Sequence, residues 1–398
     1  MKRRGWIPWA VLAAIIAFVL FRVIYLISNQ DPGYTRFNAA YFTRAFTEAF
    51  TLGSLYALIA LGYTMVYGII RLINFAHGEV FMVGAFCSYF LFTLTPFPLW
   101  IAIVLAAFVA YGAARVLELW RGSLKDPLTL TIAALIFALS IYGLSSSKLN
   151  FLIALPMSML LTGVLGILID KIAYSPLRTA PRNSLLITAI AVSFFLQNVG
   201  LLAFTNKQTP YRPDTMLTNS LSFNVAGNEV RSTFLIIAIP LVALLLVVAL
   251  TLFVTRTRLG KAMRASAQDA EVAQMMGISV DKVIATTFLL GSMLAAAGGA
   301  MYGLNFGSLN QPAIMGVLPG IKAFAAAVIG GIGSLPGAVI GAMVIGFSEV
   351  FLTAIFPKIP GVFEGISEFK DTFAFALMII ILLFRPSGIV GEDLSEKV

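Results

Sequence analysis

Apolar runs near 20 residues recur along this chain, separated by short polar stretches. Read as crossings, they fall at approximately 6–28, 45–70, 78–96, 98–119, 128–146, 149–174, 184–206, 232–255, 281–304, 317–332, 334–356 and 370–385. At about 1.5 Å of rise per residue, a run of about 20 spans the hydrocarbon core of a bilayer. The run 317–332 is short and reads as a candidate re-entrant segment. No polar stretch is long enough for a soluble domain; the longest, about 206–231 and 256–281, are loops. The pattern predicts an all-α polytopic membrane protein with about 10–12 transmembrane helices.

Composition and charge refine this picture. Hydrophobic residues make up 59% of the 398 and charged residues only 11%, less than half the charged share of an average soluble domain, about 25%. The net charge of +9 is read by position, as cytoplasmic loops rather than a nucleic-acid surface. Lys2, Arg3 and Arg4 put the N-terminus in the cytoplasm, followed by an uncleaved anchor helix over 6–28. Alternation then puts Lys171, Arg178 and Arg182 inside, with Arg256, Arg258, Lys261, Arg264 and Lys282. The C-terminus falls inside as well, and 206–231 outside, where "SFNVAGNEVR" reads as a hairpin about Gly227-Asn228. The single cysteine, Cys87, excludes an intramolecular disulfide and a cysteine-based metal site.

Polar residues inside apolar runs are the candidate chemistry, since such groups face a bundle interior or a water-filled cavity. "GYTMVYGIIRLINFAHGEVFMVGAF" (62–86) holds Asn74, the lone histidine His77, and Glu79. On a regular helix Asn74 and His77 share a face and Glu79 points away. A break at Gly78 would suit a helix junction beside a translocation path; a cytoplasmic turn is the alternative. "FFLQNVG" (194–200) places Gln197 and Asn198 within another run, either bonding between helices or lining a path. "VIGGIGSLPGAVIG" (328–341) reads as a tight turn between antiparallel helices. Lys322 and Glu349 then lie within about 3 Å of the same depth and are expected to pair, as a structural strut rather than a proton relay.

Small residues at spacings of four (Ala295, Gly299, Gly303, Gly307; Gly337, Gly341) predict close helix packing. In the loop 256–281, Asp269 can cap a short helix over 270–276 that Gly277 ends. Ser279 can cap the next crossing. Ala270, Ala273, Met275 and Met276 on that short helix suit a cleft on a partner protein, or else the bilayer surface. No phosphate-binding loop is present: Gly260-Lys261 is followed by Ala262, and Thr255 stands where the first glycine is required. One histidine excludes a two-histidine metal motif, and nothing resembles a nucleophile elbow. The chain reads as a non-enzyme.

Five stretches in this order, "TLGSLYALIALGYTMVYGIIRLINFAHGEVFMVGAF", "IAYSPLR", "FFLQN", "RLGKAMRASAQDAEVAQMMGIS" and "GIKAFAAAVIGGIGSLPGAVIG", resemble the LivH-type permease subunit of bacterial branched-chain amino acid ABC importers. The resemblance covers roughly 45–112 and 163–395. It implies an ABC importer permease fold over 45–398 and a place in the bacterial inner membrane. It implies two cytoplasmic ATP-binding subunits, a second related permease and an extracytoplasmic solute-binding protein. ATP and magnesium would be bound by those partners, with no cofactor in this chain. It assigns Asp269, Ala270, Glu271, Ala273 and Gly277 to the segment that docks on the ATPase, and the 74–79 cluster to the path or its gate. The sequence departs from the family in residues 1–44, an anchor helix with an outer loop, and in an insertion near 113–150 expected to add a helix hairpin. A urea or short-amide importer of the same branch, and an ion-coupled transporter using His77, Glu79 and Glu349, are the rival readings.

Overall fold

The computed structural model describes residues 39–93, 97–121, 127–146, 151–178, 180–204, 206–211, 219–225, 228–356 and 369–391. The expected anchor helix over 6–28 lies outside them. The helices are α1 (Ala39–Ile70), α2 (His77–Thr93), α3 (Leu99–Arg121), α4 (Pro127–Ser146), α5 (Phe151–Ile169), α6 (Arg182–Ala203), α7 (Leu235–Arg256), α8 (Arg258–Gln268), α9 (Ala270–Met275), α10 (Val280–Phe306), α11 (Pro312–Gly330), α12 (Leu335–Ile355) and α13 (Lys370–Phe384). A π-helical turn, Asp170–Tyr174, follows α5 directly. Among the described residues nine helices are long and apolar enough to cross a membrane. α2, at 17 residues, and α13, at 15, are shorter.

Two helices form the axis. In α1 and α10 the most apolar windows are 94% and 89% buried within the protein. A helix buried on every side must meet its neighbours through small residues, because lipid supplies no hydrophobic drive between helices. Gly84 of α2 lies on the Ala296 backbone of α10, Gly78 on Gly316 and Gly320 of α11, and Gly341 of α12 on the Ala326 carbonyl. A methyl group at any of these would overlap the facing backbone. α12, α11 and α7 close around α1, and α2 and α5 around α10. α10 ends at Gly307, whose φ of +65° is the left-handed cap that glycine adopts without strain.

At the end near the start of α1, β2 (Ser220–Val225) pairs antiparallel with β3 (Asn228–Thr233), Val225 facing Asn228. The two turn residues between them, Gly227 included, lie outside the described residues. β1 (Thr209–Pro210) pairs with β4 (Ser308–Leu309), tying the 206–211 segment to the end of α10.

Three expectations need correction. The segment expected at 317–332 begins at Pro312 and is a 19-residue helix, because proline is tolerated at its first position. Across the stretch near 113–150, α3 runs on to Arg121 and α4 packs against it, and α3, α4 and α5 share a separate apolar cluster beside the main core. α4 is peripheral, with 17% of its apolar window buried. The loop 256–281 contains a second helix, α8, buried through Gly260, Met263 and Ser266 at intervals of three. Finally, the Ser279 side chain makes no capping bond; its backbone carbonyl accepts from the Lys282 and Val283 N–H groups instead.

Candidate functional site

The 62–86 stretch does not form one helix. α1 stops at Ile70, residues 71–76 form neither helix nor strand, and α2 begins at His77. The break therefore precedes Gly78, at Arg71, whose φ of +50° is unusual for a side-chain-bearing residue. The His77 ring lies against Gly62 and Gly291. Gly62 is eight residues before Ile70, about 12 Å along α1. α2 therefore starts inside the bundle, not at its edge, and its first turn is walled by protein, as non-helical backbone at membrane depth requires.

Asn74, His77 and Glu79 are all buried, at 1–2% exposure, and they point three ways. Asn74 Oδ1 accepts a hydrogen bond of 2.7 Å from the Tyr174 hydroxyl. The His77 ring meets Tyr63 edge-on at 4.7 Å, and its Nε2 makes no hydrogen bond. Glu79 Oε1 accepts from Ser193 Oγ at 2.8 Å and from Gln197 Nε2 at 2.5 Å. Its Oε2 is buried against Gly316 with no donor. The structure thus brings Gln197 to Glu79. It does not bring Asn198, which donates to the Phe194 carbonyl one turn back on the exposed side of α6. In this conformation the cluster joins helices and does not line an open cavity.

Lys322 and Glu349 meet where α11 and α12 run side by side. Lys322 Nζ lies 2.9 Å from both Glu349 oxygens. Tyr56 of α1 donates to Glu349 Oε2 at 2.9 Å, and Asp371 of α13 lies 2.5 Å from the same ammonium. Lys370 stands 3.6 Å from Glu349. One network therefore ties α1, α11, α12 and α13. Tyr56, Asp371, Ser193 and Tyr174 had no place in the sequence reading. Their partners lie far away in the chain, and hydroxyls in apolar runs carry no distinctive pattern.

At the opposite end, Asp269 caps α9, its Oδ1 accepting from the Glu271 and Val272 N–H groups at 2.9 and 3.0 Å. Gly277 ends it with φ +82° and open space around it. Ala273 is buried against the body, while Val272, Met275 and Met276 are exposed, the two methionines at 77% and 79%. Glu271 is also exposed. Capping at both ends fixes a six-residue helix with an apolar tip toward solvent. A cleft of about 460 Å³ separates Asp269–Glu271 from Ile69–Leu72. Arg178 pairs with Asp170 at 2.5 Å and with Asp281 in the first turn of α10. A second, larger cleft of about 700 Å³ opens at the far end, between the start of α1, β3 and the ends of α10 and α12.

Residues 45–127 and 127–382 match the family described as branched-chain amino acid transport system / permease component. The chain is 37% identical over 359 residues to the high-affinity branched-chain amino acid transport system permease protein BraD of Pseudomonas aeruginosa, covering 90% of this chain and 98% of that protein. It is 35% identical over 362 residues to the protein of the same description, LivH, of Escherichia coli K12, with the same two shares. A probable branched-chain amino acid transport permease protein LivH of Methanocaldococcus jannaschii is 27% identical over 352 residues, 87% of this chain and 91% of its own length. No solved structure matches the chain. A permease component is one part of a transport system that has other subunits. With apolar helices throughout and a family match spanning nearly all of the described bundle, this multi-pass membrane protein belongs to the branched-chain amino acid transport permease family.

Proposed function

We propose that the chain is a membrane-spanning subunit of an ATP-driven importer that carries branched-chain amino acids into the cytoplasm. In this reading it sits in the bacterial inner membrane with both ends cytoplasmic. Its partners are two cytoplasmic ATP-binding subunits, a second related permease and an extracytoplasmic solute-binding protein. ATP and magnesium belong to the ATP-binding subunits; this chain catalyses nothing.

The observation that carries the reading is α9. A doubly capped helix presenting two exposed methionines is built to fill an apolar cleft on a partner, methionine being the side chain that adapts best to such a cleft. Closure of the ATPase pair pulls on α9. Through Ala273 and α8 the pull reaches the end of α7, and through the following turn it reaches α10. Arg71 and Leu72, which lead into the junction, line the same cleft, and in this reading the junction holding Asn74, His77, Glu79 and Gln197 serves as the inner gate. Substrate passes between the two permeases, and the driving energy is the differential binding of ATP to the two states. Selectivity resides mainly in the binding protein.

The test is affinity purification of the tagged chain from its native membrane, with and without Met275→Glu and Met276→Glu. Two P-loop ATPases should co-purify with the parent and fall away from the double variant, together with uptake of labelled leucine. ATPases retained at the parent level with normal uptake would remove the assignment of α9. A binding protein loaded with urea or an amide would replace the substrate.

A further inference from the structure

The larger cleft is lined by no residue of α9 or of the 71–79 junction. It lies among Glu48, Leu52 and Ile236, while the coupling cleft lies at Ile70. Glu48 and Ile70 are 22 residues apart on one helix, about 33 Å, so the cleft opens at the end opposite α9. Its lining holds two cations, Arg44 and Lys370, and two carboxylates, Glu48 and Glu349. A lone cation or a lone anion would meet repulsion as often as attraction there, whereas a molecule bearing both charges can satisfy both.

The groups are not equally committed. Glu349 is saturated by Lys322 and Tyr56 and forms the floor. Lys370 touches it only at 3.6 Å, beyond hydrogen-bond range, and is 44% exposed, so its three donors are available. Glu48 pairs with Arg44 through one oxygen in a solvent-exposed contact that a ligand can displace. Asn305 is exposed at the rim. Between these polar groups run Leu52, Ile236 and Val350, an aliphatic strip.

We infer that this cleft is a reception site for an α-amino acid zwitterion with an aliphatic side chain. Its ammonium sits on Glu48, its carboxylate on Lys370, and its side chain on Leu52, Ile236 and Val350. The inference rests on the transport reading above and adds a site within a single permease chain, before the passage between subunits.

The experiment uses the complete importer in proteoliposomes, with Asn305→Cys in a Cys87→Ser background. A membrane-impermeant maleimide labels Cys at 305. Millimolar leucine should slow that labelling severalfold, while 4-methylpentanoate, lacking the ammonium, and isoamylamine, lacking the carboxylate, should not. Lys370→Gln and Glu48→Gln should each lower leucine uptake about tenfold, the loss expected when a charged hydrogen bond is removed, and Lys370→Arg should restore most of it. Labelling indifferent to leucine, or slowed equally by all three compounds, overturns the site. Uptake within twofold of the parent in both charge variants does so as well. Either result with normal leucine uptake by the parent leaves the transport reading standing. Absence of leucine uptake by the parent removes both.

Discussion

Lysine at 322 is the hub of the buried charged network. Lys322→Met would leave a side chain of similar length without its charge. Glu349, 7% exposed, would keep only the Tyr56 hydroxyl and a distant Lys370, and Asp371 would lose its cation too. Removing one partner of a buried ion pair costs about 3–5 kcal/mol, because the other charge stays buried. Asp371 is 30% exposed, so its share is discounted for solvent screening. Glu349→Gln has a different outcome. Its amide oxygen still accepts from Tyr56, and Lys322 still has Asp371 at 2.5 Å, so the expected cost is about 1–2 kcal/mol. The double variant Lys322→Met, Glu349→Leu should be more stable than Lys322→Met alone, since it removes the stranded charge. Denaturation midpoints of the purified protein in detergent would rank the three. Equal costs for the two single variants, or a double variant no more stable than Lys322→Met alone, would refute the view that Lys322 is the hub.

Two further outcomes follow. Asn74→Leu should destabilise by about 1–3 kcal/mol, because it strands the buried Tyr174 hydroxyl; adding Tyr174→Phe should recover most of the loss in the same denaturation assay. A Cβ at 277 meets no neighbouring atom, so Gly277→Arg should cost about 1–2 kcal/mol for its left-handed backbone; the protein should still reach the membrane folded while quantitative pull-down shows weaker ATPase association.

The features readable from sequence are those whose cause is local or fixed by depth. Asp269 and Gly277 could be named as the ends of α9 because a cap and a left-handed terminus depend on residues within one turn. Lys322 and Glu349 could be matched because a tight hairpin puts equal distances from its turn at equal depth. The junction at 74–79 was less legible. No proline or glycine lies between Arg71 and Ala76, so nothing in composition ends α1 at Ile70. The break is maintained by packing against Gly62, Gly291 and Gly316, residues from three other parts of the chain. Gln197 and Asn198 show the same limit. Neighbours on a helix point about 100° apart, so one meets Glu79 and the other lies on the outer side. On a helix apolar all round, the sequence does not say which. α8 is amphipathic, with Gly260, Met263 and Ser266 buried at intervals of three, but its eleven residues are too few and too polar to stand out beside the long apolar runs.

The charged network also has a consequence for the order in which the protein is made. α1, with Tyr56, and α11, with Lys322, precede α12 and α13 in the chain, and Glu349 follows Lys322 by 27 residues. At about 5–20 residues per second, Lys322 is synthesised about 1–5 s before its first carboxylate exists. During that interval the Tyr56 hydroxyl, 3.4 Å from Lys322 Nζ in the finished structure, is the one member of the network already present. The tight turn after Gly330 then delivers Glu349 alongside at the correct depth, so α11 and α12 are suited to enter the bilayer as a hairpin rather than one after the other. A nascent chain stalled before Glu349 would expose an unneutralised lysine to lipid, a mark by which membrane quality control could distinguish an unfinished copy from a complete one.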